Sequence, residues 1–183
     1  MALTLSILIA TMPERKLKFD SLMESLSRQL TPQVEVITDD SMAYNIGNKR
    51  NRLLKRASGE YVVFIDDDDS ISPGYVQAIL LACKKGPDCI GISGIITTNG
   101  VNERQWHISK SYERWYELNC VYYRTPNHIS PVKRELALKA GFPEISFGED
   151  AEYSRRLLPL LKTEVKIPGN IYKYQYVNKK VHR

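Results

Sequence analysis

The first half of the chain alternates short apolar runs with amphipathic stretches. Residues 3–10 are largely apolar and lead into Thr11-Met-Pro-Glu-Arg15, which predicts a buried first strand. Residues 15–30 carry Leu17, Leu22, Leu26 and Leu30, the last three spaced by four, and predict a helix. Residues 34–38 predict a strand ending at Asp39-Asp40, and residues 44–56 a basic helix closed near Gly59. Residues 61–65 are β-branched and aromatic, so they predict a buried strand; it runs straight into Asp66, Asp67, Asp68 and Asp69. Ser72 as N-cap and Pro73 as first residue predict a helix over 73–85, followed by a strand over 88–93. This βαβ succession predicts an α/β fold: a Rossmann-like, mostly parallel central sheet with helices on both faces.

Beyond residue 93 the pattern changes. Asn99-Gly100 predicts a hairpin within 94–109, and 118–124 reads as a strand. Ser130 and Pro131 predict a helix start, and 148–162 a second helix that Pro159 kinks or ends. Residues 165–167 and 171–177 are strand-like, giving a smaller mixed sheet at this end. There is no repeat, low-complexity tract or linker, so the expectation is one domain over 1–183 with functional halves at 1–93 and 94–183.

Composition narrows the class. The 183 residues are 43% hydrophobic and 26% charged, ordinary for a globular protein with one core. No apolar run approaches the ~20 residues of a membrane span. The first apolar run lacks a basic leader and reads as a strand, so the expected location is cytoplasmic. Cys83, Cys89 and Cys120 lack metal-like spacing and are expected to be reduced core cysteines. The net charge of +5 is concentrated: residues 162–183 hold six Lys/Arg against one Glu, and Lys49, Arg50, Arg52, Lys55 and Arg56 form a second cluster. These clusters suit an anionic substrate and, for the tail, a polyanion, so nucleic acid is kept as a partner class.

Four adjacent carboxylates at a strand end need a counter-charge, and ligands of open α/β sheets bind at the carboxyl ends of strands. A divalent cation is the simplest counter-charge, with Asp oxygens suited to Mg²⁺ or Mn²⁺. An acidic turn that caps the next helix is the structural alternative, but a cap needs one Asp or Ser. An EF-hand fails, because its sixth and twelfth positions would be Ile71 and Gln77; a Walker-type site fails for want of a Gly-Lys-Ser/Thr loop. Two more acidic sites fall at element ends. Asp39-Asp40 suits a base or a ribose, or an Asx turn. Gly148-Glu-Asp-Ala-Glu-Tyr153 suits a general base, although the helix dipole alone also favours acids there.

Taken in order, these features resemble the family 2 glycosyltransferases of the GT-A fold. The resemblance is carried by the first strand Leu5-Ser-Ile-Leu-Ile-Ala-Thr11, by Gly47-Asn-Lys-Arg-Asn51, by Ala57-Ser-Gly-Glu-Tyr-Val-Val-Phe-Ile-Asp-Asp-Asp68, and by Gly148-Glu-Asp150 with Glu152. It implies a nucleotide-sugar donor, usually UDP-linked, held with Mn²⁺ or Mg²⁺. Asp39 or Asp40 would face the base. Thr11, Arg50, Asn51, Asp66 and Asp67 would line the donor site. Asp68, with Asp66 and His128, would hold the metal. Asp150, beside Glu149, would deprotonate an acceptor hydroxyl and give inversion. Residues 1–93 would then bind the donor, and 94–183 the acceptor. The Gln-x-x-Arg-Trp motif of processive synthases is absent, with Glu152-Tyr-Ser-Arg-Arg156 standing nearby.

An anionic acceptor such as modified DNA is one expectation of the basic surface. The alternatives are a nucleotidyltransferase acting on a sugar phosphate, which would want a Gly-rich loop after the first strand, and a non-catalytic basic nucleic-acid-binding module. His128 precedes a predicted helix and is a candidate for the metal or the diphosphate; His182, in the tail, is a second candidate to fold over the donor. Trp106, Trp115, Tyr112, Tyr116, Tyr122 and Tyr123, and the alternating Tyr172, Tyr174 and Tyr176, are assigned to core and sheet packing, with a minority free to line a cleft.

Overall fold

The structure, a computed structural model, describes residues 3–177, so His182, Lys179 and Lys180 lie outside the described residues. In chain order the first half contains β1 (Leu5–Ala10), α1 (Lys16–Ser27), β2 (Val34–Asp39), α2 (Ile46–Arg56), β3 (Tyr61–Phe64), β4 (Ser70–Ile71) and α3 (Tyr75–Cys83). The second half contains β5 (Cys89–Thr98), β6 (Val101–Ile108), β7 (Tyr116–Leu118), β8 (Val121–Arg124), β9 (Val132–Lys133), α4 (Arg134–Ala140), α5 (Glu149–Leu157) and β10 (Glu164–Tyr176).

One sheet runs in the order β2-β1-β3-β9-β5-β6-β8-β7, with β10 along the other edge of β5 and β4 beside β10. It is parallel through β2, β1 and β3 and mixed beyond. Successive strand side chains point to opposite faces. Leu5, Ile7 and Ile9 of β1, with Tyr61 and Val63 of β3, enter the core covered by α1 and α3. Leu8, Val62 and Phe64 enter a second core covered by Leu53 and Leu54 of α2, Ala137 of α4 and Tyr153 and Leu157 of α5.

Several expectations change. Pro131 does not open a helix: Val132 pairs with both Val62 and Cys89, so the ladder takes 132–133 as β9 and α4 starts at Arg134. Ser72 does not cap α3. Its N–H goes to the Ile171 carbonyl, the helix begins at Tyr75, and Gln29 Oε1, from the end of α1, accepts the Val76 N–H at 3.2 Å. The single strand expected over 118–124 is a hairpin of β7 and β8, turning through Asn119 and Cys120 with φ of 50° and 60°. Cys at positive φ gives no turn signal in a sequence, and the turn leaves Cys120 exposed while Cys83 and Cys89 are buried. The Asn99-Gly100 hairpin of β5 and β6 is present, with positive φ at both turn residues. The two strand-like stretches at the end of the chain are one strand, β10, whose register shifts between Lys166 and Asn170, around Pro168-Gly169.

Asp88 ties the start of β5 to the turn before β10. Its carboxylate accepts the N–H groups of Lys162 and Thr163 at 2.8 and 3.0 Å, and Lys133 Nζ at 3.1 Å. Burial pushes this carboxyl up, but those donors outweigh burial and hold it below the usual carboxylate range. A depressed carboxyl contributes stability above its unfolded pKa, near 4, and loses it as pH falls through the folded value. Asp88→Ala is therefore expected to lose roughly 1–3 kcal/mol at pH 7, and the difference from wild type should narrow in urea titrations at pH 3. An equal difference at both pH values would contradict this account.

Candidate active site

The carboxyl ends of β1 and β3 lie side by side, so the residues that follow each strand meet. Thr11, just beyond β1, donates Oγ1 to Asp67 Oδ2 at 2.7 Å. Each of the four aspartates then finds its own partner. Asp66 accepts Arg50 Nη2 at 3.1 Å and lies 3.2 Å from His128 Nε2. Asp67, 1% exposed, also accepts Arg15 Nη1 at 2.7 Å. Asp68 faces Arg15 at 3.3 Å and Lys18 at 3.7 Å. Asp69 accepts the Tyr172 hydroxyl at 2.7 Å and the Gln175 N–H at 2.8 Å, while the Asp66 N–H donates to the Tyr172 oxygen. The counter-charge that the sequence assigns to a cation is thus supplied in large part by Arg15, Lys18 and Arg50.

These environments separate Asp66 from Asp69. Asp66 lies deep in the cleft yet keeps 28% of its side chain exposed. Burial raises its pKa, but His128, Arg50 and Arg15 outweigh burial and hold it well below the usual range. Burial, with the Asp66 charge behind it, pushes Asp69 up to about 8 against its two hydrogen bonds. A neutral Asp69 beside an ionised Asp66 relieves the repulsion that the sequence leaves unexplained.

Arg50 joins the strand end to the second acidic site. It is buried on α2, lies over the Phe64 and Phe142 rings at 5.7 and 5.5 Å, and pairs through Nη1 with Glu149 at 3.1 Å. Its neighbour Asn51 is a staple: Nδ2 donates to the Phe142 carbonyl at 2.8 Å and Oδ1 accepts the Phe142 N–H at 2.9 Å. Phe142 stacks on Tyr153 of α5 at 4.0 Å. Gly47 admits the following loop, since a Cβ there would lie 1.9 Å from the Pro143 carbonyl oxygen. Together these contacts fix the start of α5, which follows Gly148 at φ 80°. From the other side, Trp115 Nε1 donates to Thr125 Oγ1, which lies 2.6 Å from Ser154 Oγ of α5.

Two cavities meet here. One, of ≈ 810 Å³, is lined by Thr11, Arg15, Lys18, Asp66, Asp67 and Asp68, with Tyr44, Lys49 and Tyr176 among its walls. The other, of ≈ 760 Å³, is lined by His128, Glu149 and Asp150, by Trp106, Trp115 and Tyr122, and by Arg124 and Phe147. Arg15, Arg50, Asp66, Ser146 and Tyr174 line both. Of the residues singled out in the sequence, Thr11, Arg50, Asp66, Asp67, Asp68, His128, Glu149 and Asp150 come together. Asp150 opens on the second cavity, whereas Glu149 is mostly buried against Arg50.

The others stand apart. Asn51 lines neither cavity and holds Phe142. Asp39 is buried, accepts the Ser41 N–H and Arg52 Nε, and lines neither cavity; Asp40 is exposed and also lines neither. Trp106, Trp115 and Tyr122, expected to be packing, wall the second cavity. Trp106, Tyr122 and Arg124 fall on one face because β6 and β8 are parallel and in register. Arg124 and Phe147 carry no motif, and only the register of β8 and the loop before α5 reveal them.

The donor set is chemically suited to a hard divalent cation but does not close around one: among the described residues no three His, Cys, Asp or Glu side chains converge as a metal cage. Asp68, with 21% side-chain exposure and two long ion pairs, is the carboxylate left to offer an oxygen. Sites that take Mg²⁺ with one or two carboxylates are completed by substrate phosphates and water. Among the described residues no helix is long and apolar enough to cross a membrane.

Comparison with known proteins places this geometry. The chain resembles S. aureus TarS 1-349 in complex with UDP-GlcNAc, with a TM-score of 0.72 at 17% identity over 94% of this chain and 58% of that one. The complex of the same protein with UDP gives a TM-score of 0.72 at 17% identity over 94% and 60%. The chain thus spans about three-fifths of the length of those structures, and the likeness shows the fold to be of the GT-A α/β type. No curated protein sequence matches the chain. The family model "Glycosyl transferase family 2" matches residues 18–147, from α1 to the loop that carries Ser146 and Phe147, and by that match the chain belongs to glycosyl transferase family 2.

Proposed function

We propose that the protein is an inverting, metal-dependent glycosyltransferase that moves a sugar from a UDP-sugar to an acceptor hydroxyl. The observation that carries this reading is the junction of the two cavities at Asp66 and Arg50. One side offers acids and cations for a diphosphate, and the other offers Asp150 among aromatic walls. The bound UDP and UDP-GlcNAc of the TarS structures support the choice of donor.

In this reading Arg15 and Lys18, on the rim of the first cavity, face the diphosphate, and Asp68 is the protein ligand to Mn²⁺ or Mg²⁺. The metal's contribution when bound is to neutralise charge on the leaving diphosphate. Asp150 takes the proton of the acceptor hydroxyl as its oxygen bonds to the anomeric carbon. The bond to the diphosphate oxygen breaks, UDP leaves, and the anomeric configuration inverts. Of the tail cations that suggest a nucleic-acid acceptor, Lys166 and Lys173 lie on β10 and pair with Glu164 and Glu103, while Lys179, Lys180 and Arg183 lie outside the described residues.

Thermal unfolding with nucleoside diphosphates, with and without Mn²⁺, tests the donor side. UDP with Mn²⁺ is expected to stabilise the protein by ~2.7 kcal/mol at a hundredfold excess over its Kd. The metal-dependent part of that shift should vanish on adding EDTA and in Asp68→Asn. No shift with any nucleotide would sink the reading.

A further inference from the structure

We propose that the acceptor is an acidic carbohydrate, a sugar or polyol bearing a phosphate, sulfate or carboxylate, and that Arg124 receives its anionic group while Trp115 and Phe147 receive its ring or chain. The inference rests on the glycosyltransferase reading and specifies its acceptor.

Three arginines line the cavity that Asp150 opens on. Arg15 is paired with Asp67 and Asp68, and Arg50 with Asp66 and Glu149. Arg124 has no carboxylate within ion-pairing distance among the described residues. Its Nη1 donates to the Tyr116 and Tyr123 carbonyls at 3.2 and 3.1 Å. Two carbonyls use one nitrogen of a guanidinium that offers five N–H donors. Its guanidinium carbon lies over the Trp115 and Tyr122 rings, 5.0 Å from each centroid. Burial strips part of its hydration and lowers its pKa despite the nearby Tyr122, Glu117 and Asp150. A half-buried cation over aromatic rings, with N–H groups left over, is built to take a planar or tetrahedral oxyanion.

The rest of the wall decides what carries that anion. Ile96, Trp106 and Ile108 continue the apolar face beside Arg124, and Phe147 stands 93% exposed on the loop before Asp150. Aromatic faces around a single unpaired cation fit one charged group on a stacked sugar. A nucleic-acid strand would need a track of cations along its backbone, and neither Arg15 nor Arg50 is free to extend one.

The test presents labelled full chain, with and without saturating UDP, to an array of neutral, phosphorylated, sulfated and uronate-bearing glycans, together with single-stranded DNA. Retention of acidic glycans is expected, falling ~10-fold or more in Arg124→Gln and less in Arg124→Lys, which keeps the charge but not the fork. UDP affinity by calorimetry reports whether each variant is folded; a merely structural Arg124 would lower it together with all retention. Neutral glycans held as strongly as acidic ones, retention of DNA alone, no retained acidic glycan, or unchanged retention in Arg124→Gln would each overturn the proposal. Absence of UDP binding in the wild type would instead overturn the donor reading, with the acidic-glycan arm still scored on the UDP-free protein.

Discussion

Asp150→Asn is expected to lower kcat for sugar transfer by roughly 10²–10⁴-fold, the usual contribution of a positioned general base. The amide is isosteric and cannot accept the acceptor's proton. In the present structure Asp150 Oδ1 accepts only the adjacent Ala151 N–H at 2.8 Å, so the substitution removes no long-range tie. The start of α5 is held by other residues: Arg50 on Glu149, Asn51 on Phe142, and Thr125 on Ser154. UDP binding and the unfolding midpoint should therefore stay within error of wild type. Steady-state rates with UDP-sugar, alongside UDP calorimetry, check both halves. Transfer within threefold of wild type would remove Asp150 from the mechanism, and a parallel loss of UDP affinity would make its role structural.

The largest effect on stability is expected at Arg50. Arg50→Met keeps much of the stem that packs near Phe64 and Phe142 but leaves Asp66 and Glu149 without their shared cation. Removing one partner of a buried ion pair typically costs about 3–5 kcal/mol, because the remaining charge stays desolvated. His128 still faces Asp66 at 3.2 Å and offsets part of the loss there, so about 3 kcal/mol is expected in urea unfolding. The double variant Arg50→Met, Glu149→Gln should recover part of it, since the second substitution removes one of the two orphaned charges. A loss under 1 kcal/mol, or a double variant worse than the sum of the singles, would show that Arg50 is not the strut between the two acidic sites. Recovery in the double variant would make Glu149 a support of Asp150 through Arg50.

Much of the arrangement can be read along the chain because it is local. The apolar runs 5–10 and 61–64 and the spaced leucines of α1 predict the parallel half of the sheet, and parallel strands bring their carboxyl ends to one rim. The Asp run and the Gly148-Glu-Asp150 segment sit at element ends and the Gly47-to-Asn51 segment lies in the first turns of α2, and it is their resemblance to family 2 glycosyltransferases that implies a donor site and a base. What the sequence leaves undetermined depends on contacts between distant residues. Pro131 and Ser130 carry helix-start chemistry, but the β3 and β5 ladders claim Val132 first. Ser72 looks like a cap, but Gln29, 47 residues from Val76, supplies it. Asn51 carries the family's motif, yet its partner, 91 residues away, makes it a staple on Phe142.

The sequence by itself determined that this is an α/β chain with an acidic strand end and a later acidic helix start, because strand alternation, helix spacing and turn residues act over a few positions. Only the tertiary structure decided how four adjacent carboxylates coexist and which aromatics wall a cavity. Each aspartate is partnered by Arg15, Lys18, Arg50, His128 or Tyr172, which reach it from other elements. The face shared by Trp106, Tyr122 and Arg124 is set by the register of two strands, and no local pattern encodes register between them.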